Sequence, residues 1–329
     1  MFERLKTAIS DTLHKKKLDA KVAVTAEMTG LGEAAVRAIL ATRAVAGMPN
    51  KPFDPKFSKL DLKSVRRVGD NLMRIELERG RTFFGHRSEQ KHYVYHHLLK
   101  QFAPEAINGD AYKLAMDIQT RYLNGQPPRF VGKGAVLIEG GCYTGLKAIR
   151  WHDALEGDCI IHAVEIGATN VEIMRMNIEA NRLGSRILPL HCGLWRETGT
   201  GEQLHNFTTR RFLEATDRWE GDMVETEPVR LLSIDDLLDE RSIDVADFLN
   251  IQVNGAEIEV LKGFTKLDRV RVVGVAAYYA KGDTKNADVV REMILKQGCT
   301  ILHDQKGRIT YATPKHAADV AKQVKRTGI

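Results

Sequence analysis

From residue 134 onward, short apolar runs alternate with amphipathic stretches, and this rhythm restricts the fold more than any other feature of the chain. Runs at 135–138, 160–164, 187–191, 248–253 and 270–276 are apolar almost throughout and predict strands. Between them, 145–152 and 170–183 predict helices, the second with Val171, Met174 and Ile178 on one side and Gly184 as its stop. A helix to Gly263 follows the fourth run, and 286–297 predicts another. Residues 229–232 read as a short edge segment after a polar excursion containing Gly199 and Gly201. Asp235 and Asp236 sit where a helix start favours acids. The end, 300–302, Lys306-Gly307 and 308–312, reads as a closing antiparallel hairpin. Strands apolar on both sides, separated by helices, belong to a parallel sheet covered on both faces. The fold class expected is α/β, Rossmann-like and doubly wound, with ligands at the carboxyl ends of the strands.

The first part of the chain has a different texture. Phe2, Leu5, Ile9 and Leu13 repeat at helical spacing, and 34–46 is a helical stretch stopped by Gly47. Met73, Ile75 and Leu77 alternate with Arg74, Glu76 and Glu78, a strand with one buried face; Arg79-Gly80 turns it and 81–84 returns. Stretches 91–102 and 111–123 read as helical, with Leu114, Ile118 and Tyr122 on one face. Pro127-Pro128 marks the boundary. We expect an N-terminal helical extension with a small β-hairpin over 1–130, and the α/β domain over 131–329.

Composition narrows the class further. With 43% hydrophobic and 28% charged residues, the 329-residue chain is neither disordered nor fibrous. No apolar run approaches the ~20 residues of a membrane span. The opening Met1-Phe2-Glu3-Arg4-Leu5-Lys6 lacks a secretory apolar core, so a cytoplasmic protein is expected. A net charge of +6 permits an anionic partner without requiring one. Lys15-Lys16-Lys17 reads as a solvated helix face. Cys142, Cys159, Cys192 and Cys299 form no C-x-x-C pair and read as reduced thiols. His92 and His96 lie one helical turn apart, but nothing supplies a matched acid or cysteine set, so no metal is expected.

Two strand ends carry chemistry. The first is Glu139-Gly140-Gly141-Cys142-Tyr143-Thr144-Gly145. Its glycines allow a tight turn and close backbone approach. The spacing is not the G-x-G-x-x-G of a pyrophosphate site, and an acid at the strand end would repel a diphosphate; it suits a cationic group such as the amino group of an amino acid. The second is Glu165, closing His162-Ala163-Val164, where such folds accept hydrogen bonds from ribose hydroxyls. Acids on consecutive strand ends point to a cofactor joining a nucleoside to an amino acid. Cys192, Gly193 and Leu194 follow the third strand, with Trp195 either beside a pocket there or filling the core. Tyr278 and Tyr279 follow the fifth strand, where a substrate lip would stand.

At this point the sequence resembles S-adenosylmethionine-dependent methyltransferases, and more narrowly the FkbM family. Three stretches carry the resemblance. Val136-Leu137-Ile138-Glu139-Gly140-Gly141-Cys142-Tyr143-Thr144-Gly145 is similar to the family's V-D-V-G-A-N-x-G loop. Val164-Glu165-Ile166 with Asn177-Ile178-Glu179-Ala180-Asn181 is similar to F-E-P followed by N-x-x-x-N. The stretch Phe248-Leu249-Asn250-Ile251-Gln252-Val253-Asn254-Gly255-Ala256-Glu257, running on to Gly263, is similar to I-K-I-D-V-E-G-A-E-x-x-V-L-K-G. The resemblance implies S-adenosylmethionine bound by Glu139, Gly141, Cys142, Tyr143, Thr144, Gly145, Glu165, Ile166, Cys192, Gly193, Leu194 and Asn250.

It also implies methyl transfer to a hydroxyl of a sugar, glycan or polyketide-like metabolite, with Gln252, Asn254 and Glu257 at the acceptor. The chain departs from the pattern where the family has Lys, Asp and Glu: here stand Asn250, Gln252 and Asn254. Neither Gln nor Asn can take a proton at neutral pH, although both can orient a substrate. The alternative is therefore a methyltransferase-fold binding or scaffolding protein with reduced or lost catalysis. Expected partners are a small-molecule or glycan acceptor and a second copy of the chain. A nucleic-acid substrate is not expected, because no Asn-Pro-Pro-Tyr-like loop follows the fourth strand.

Overall fold

In the computed structural model the chain divides into two compact units, Met1–Asn124 and Gly125–Ile329. The structure describes residues 19, 62–68, 72–86, 114, 117–204, 208–209, 226–281 and 284–327. Apart from residue 19, the helices expected over 1–46 and 91–102, with Lys15-Lys16-Lys17, His92 and His96, lie outside the described residues.

In the first unit, β1 (Leu62–Arg67), β2 (Leu72–Leu77) and β3 (Thr82–His86) form an antiparallel sheet in that order. The expected hairpin thus has a third strand. Met73, Ile75 and Leu77 are buried, as their alternation requires. Leu114, Ile118 and Tyr122 are buried too, and the Tyr122 ring packs tilted on Phe83 at 4.8 Å.

The second unit holds a seven-stranded sheet. Its strands are β4 (Ala135–Gly140), β5 (Cys159–Glu165), β6 (Ile187–His191), β11 (Ala246–Ile251), β12 (Val270–Ala276), β15 (Thr300–Gln305) and β16 (Arg308–Ala312). The order is β15-β16-β12-β11-β4-β5-β6. The five strands from β12 to β6 run parallel, and the hairpin β15–β16 closes the sheet antiparallel to β12. The chain moves outward from β4 through β5 to β6, then returns to lay β11 on the other side of β4. The winding reverses between β4 and β11, which opens a crevice at their carboxyl ends.

Both faces are covered, which is why the strands are apolar throughout. Neighbouring residues of a strand point to opposite faces. Leu249 and Ile251 pack in one cluster with Leu237, Val260, Leu261, Val290 and Ile294. Those side chains come from α3 (Ile234–Glu240), α4 (Glu257–Lys262) and α5 (Asn286–Lys296). Phe248 points the other way, onto Trp151 of α1 (Leu146–Ala154) at 5.6 Å. Phe130 meets the same Phe248 ring edge-on at 6.2 Å. Helix α2 (Ala168–Ala180) follows β5 and buries Val171, Met174 and Ile178.

Two elements differ from the sequence reading. Residues 229–232 are not an edge. They belong to β10 (Thr226–Leu232), which lies between β7 (Gly193–Leu194) and β8 (Gly199–Leu204) in a second sheet of order β7-β10-β8-β9, with β9 at Thr208–Thr209. The polar excursion around Gly199 and Gly201 is itself a strand, because antiparallel pairing with β10 supplies what its side chains do not. Helix α6 (Ala317–Thr327) also forms beyond the closing hairpin.

Candidate active site

The crevice between β4 and β11 is built by a loop that most side chains would break. Gly141 and Cys142 both donate their N–H groups to the Val164 carbonyl at 2.9 Å, so the chain turns sharply as it leaves β4. Gly141 adopts φ +77 and Gly145 φ +81, in the left-handed region. A β-carbon on Gly141 would stand 1.9 Å from the Gln252 carbonyl, and one on Gly145 would stand 2.9 Å from Met174 Cγ. Tyr143 sits between them, also left-handed at φ 57. Asn is more at ease there than Tyr.

Glu165 holds that strained residue. Its Oε2 accepts the Tyr143 N–H at 2.8 Å, and its Oε1 accepts from Gly167 N at 2.9 Å and Asn170 Nδ2 at 3.1 Å. A carboxylate offers about four acceptor positions. Three donors from the chain leave room for about one more. From behind, Asn177 of α2 donates Nδ2 to the Thr144 carbonyl at 2.8 Å, and Asn181 donates to the Asn177 carbonyl at 2.7 Å. The N-x-x-x-N spacing therefore has a mechanical reading: it fixes the loop.

Glu139, at the end of β4, is 1% exposed. Its Oε1 pairs with Lys147 Nζ at 2.8 Å, and its Oε2 accepts from the Cys142 thiol at 3.3 Å. Burial first, and Glu139 second, push the Cys142 thiol well above its ordinary pKa, so it stays protonated as the donor. Lys147 Nζ also lies 3.4 Å from Gln252 Oε1 and 5.4 Å from the centre of the Trp151 ring.

The end of β11 is tied to this loop. Gln252 N donates to the Gly140 carbonyl at 2.9 Å. Asn250 pairs laterally with Glu139 on one side and Gly274 on the other, and its Nδ2 is buried with no partner among the described residues. Gln252 is half-buried and Asn254 exposed, the latter left-handed at φ 53 with Oδ1 accepting from Tyr279 OH at 3.4 Å. Glu257 differs from its expected place at the acceptor. It is fully buried, its Oε1 accepts from Gly255 N at 3.0 Å, and burial raises its pKa. Glu257 shapes the turn from inside and offers no surface to a substrate.

Residues 141–299 match the model of the methyltransferase FkbM domain. Over that stretch the chain is similar to an FkbM methyltransferase domain. No curated protein matches it. Among solved structures, the chain is similar to methyltransferase FkbM from Methylobacillus flagellatus KT, with 13% identity over 67% of this chain and 55% of that one, at a TM-score of 0.38. It thus spans about half the length of that protein. It is also similar to fibrillarin from Aeropyrum pernix, solved with natively bound S-adenosyl-L-methionine, with 16% identity over 77% of this chain and all of that one, at a TM-score of 0.34. TrmK of M. capricolum, solved with S-adenosyl-homocysteine, shows 11% identity over 56% and 65% at 0.32. At these identities the likeness carries no information on substrate.

The named residues fall into three groups. Glu139, Cys142, Asn250 and Gln252 converge at the crevice, and Tyr143, Thr144, Glu165 and Asn177 form its loop support. Cys192 and Leu194 lie in the core cluster beneath, while Trp195 packs with Val229, Leu231 and Ala256 against Ile166 and Val253. Gly193 is buried, and a β-carbon there would stand 2.7 Å from Ile166 Cδ1. Asp235 and Asp236 serve the fold: Asp236 bonds Ser233 and Thr198, and Asp235 accepts from the Thr265 and Lys266 N–H groups. Among the described residues, no group of three or more His, Cys, Asp or Glu is placed to hold a metal ion. Sequence reasoning missed Lys147. A signal existed: it is the second residue of α1, where the helix dipole disfavours a cation, so its charge needs a local partner.

Proposed function

We propose that this domain catalyses S-adenosylmethionine-dependent methyl transfer to a hydroxyl of a sugar, glycan or polyketide-like metabolite. One observation carries the reading: a carboxylate at the end of the central strand, Glu139, is nearly sealed from water and already satisfied by an ammonium, Lys147. A site built to hold an ammonium fits the amino group of an amino acid. The unpartnered Asn250 Nδ2 beside it is a buried donor suited to a ligand acceptor atom. The remaining acceptor position of Glu165 suits a ribose hydroxyl.

Bound there, the cofactor supplies a methyl group activated by sulfonium. The chain's own residues bind and orient. Gly141 and Gly145 let the loop pass against Gln252 and Met174, where a β-carbon would not fit, and so set its course at the crevice. Gln252 and Asn254 hydrogen-bond the acceptor and hold its hydroxyl in line; alignment of this kind is worth several kcal/mol. Neither removes the hydroxyl proton, which leaves to water. Glu257 acts as a positioning residue through the 253–255 turn.

Isothermal titration with S-adenosylhomocysteine tests the reading. Heat saturating below millimolar ligand is expected; silence up to millimolar would remove it. The neutral corner formed by Asn250, Gln252 and Asn254 favours a second reading, a binding or scaffolding protein that keeps the fold without transfer. The double substitution Gln252→Asp with Asn254→Glu separates the two. If product on a glycan panel forms only with the double variant, the native chain is not an active enzyme of this type.

A further inference from the structure

We propose that Lys147 is an internal counterion that the incoming ligand displaces: its ammonium occupies Glu139 until the amino group of the ligand takes that place. The inference rests on the cofactor reading above and concerns the regulation of the same site.

Three observations carry it. First, the Glu139 carboxylate is almost wholly buried, and a buried carboxylate needs a cation or several donors. Besides Lys147, the donor given to it among the described residues is one thiol, a weak one. Second, the ammonium stands 2.8 Å from Glu139 Oε1. The carboxylate has acceptor positions to spare, but it carries one negative charge, and a second ammonium brought to it in this buried place would be repelled by the first. Third, from that same position Lys147 already reaches two partners other than Glu139. Gln252 Oε1 lies 3.4 Å away and the Trp151 ring face 5.4 Å away. A carbonyl oxygen and an aromatic face together accommodate an ammonium without a full countercharge. A ligand whose amino group binds Glu139 thus leaves Lys147 to these two partners.

The consequence is quantitative. When the binding-competent arrangement is only part of the population, apparent affinity falls by that fraction. Lys147 therefore weakens ligands that carry the amino group and leaves those that lack it unaffected.

Titration calorimetry on the full chain tests this with two probes. S-adenosylhomocysteine carries the amino acid; methylthioadenosine has the same nucleoside without it. For Lys147→Met, S-adenosylhomocysteine is expected to bind at least about fivefold more tightly than to wild type, with methylthioadenosine unchanged within about twofold. Should Lys147→Met fail to fold, Lys147→Gln carries the same expectation. Lys147→Arg keeps the competing charge and should bind both probes as wild type does. Wild type that binds both probes, with a neutral variant no tighter for S-adenosylhomocysteine, overturns the exchange and leaves the cofactor reading standing. Equal tightening of both probes also overturns it, since that would be a general opening of the crevice. Wild type that binds neither probe takes down both ideas.

Discussion

The α-carbon of Gly141 lies so close to the carbonyl of Gln252 that a β-carbon would fall 1.9 Å from its oxygen. The oxygen belongs to backbone that Gln252 N anchors to Gly140, so it cannot swing aside. Gly141 is also left-handed, which an L side chain resists. Gly141→Ala must therefore pry the loop from the strand end. We expect a loss of about 3 kcal/mol in urea unfolding and at least a tenfold loss of S-adenosylhomocysteine affinity. Wild-type stability in this variant would show that the two segments are not in contact.

Glu165→Gln tests the other side of the loop. The carboxylate accepts from three chain donors, two of them backbone N–H groups. An amide presents one acceptor oxygen and one donor group, so either Tyr143 N or Gly167 N would face another donor. Tyr143, held left-handed by this bond, loses its anchor. A destabilisation of about 2 kcal/mol is expected, together with weaker S-adenosylhomocysteine binding. Calorimetry and thermal melting on one sample would report both; an unchanged melt contradicts the anchoring role.

How far the sequence reveals this architecture depends on whether a signal is local. Strands 187–191 and 270–276 form with the bounds their apolar runs suggest, because a doubly covered strand announces itself residue by residue. Strand β8 is hidden: Gly199, Thr200, Gly201, Glu202 and Gln203 carry no strand pattern, and only pairing with β10 makes them one. The same division runs through the site. The acid and glycines at 139–145 are contiguous and legible. The Lys147–Glu139 pair is a relation across a turn, and the burial of Glu257 depends on which way the 253–255 turn folds. A motif gives residue type and order; it does not say which side of the chain faces the crevice.

All four thiols are buried, and none should react in the folded chain. Burial raises Cys159 and Cys299 to about 11 and Cys192 to about 12, and Cys142 is further held as a donor to Glu139. The reactive thiolate is thus scarce at ordinary pH. Ellman's reagent at pH 8 is expected to show no fast thiol in the native protein and four in urea. A fast native thiol would locate an opening near one of these residues.

His162 should set part of the acid limb of stability. It lies in β5 nearly sealed from water, and burial, with Arg241 second, lowers its pKa to about 4 from 6.5. The unfolded chain takes up a proton below 6.5 that the native chain refuses. Its contribution is therefore complete above pH 6.5 and lost as pH falls towards 4, a span worth about 3 kcal/mol. Unfolding titrations at pH 7 and 4.5 should show a smaller difference in His162→Leu than in wild type. Parallel pH curves would contradict a buried neutral imidazole.

Glu257 works in the opposite direction, and the two can be separated by substitution. Burial raises its pKa above 4.5, while hydrogen bonds from the backbone of Gly255, Glu257 and Val253 and from the Asn286 side chain pull the other way without cancelling the shift. Its Oε2 has no hydrogen-bond partner among the described residues. Between 4.5 and the raised value the native chain holds a proton that the unfolded chain has released. Stability from this group is thus full below pH 4.5 and lost as pH rises through the folded value, where the bare carboxylate must sit dry. Glu257→Gln keeps an oxygen for Gly255 and removes the charge. The variant should come closest to wild type below pH 4.5 and exceed its melting temperature at pH 8. Because His162 also titrates below 6.5, the comparison is cleanest in a His162→Leu background, where only the Glu257 limb remains. If Glu257→Gln melts lower than wild type at pH 8 in that background, the carboxylate has a countercharge and is not a strained buried acid shaping the turn beneath Gln252 and Asn254.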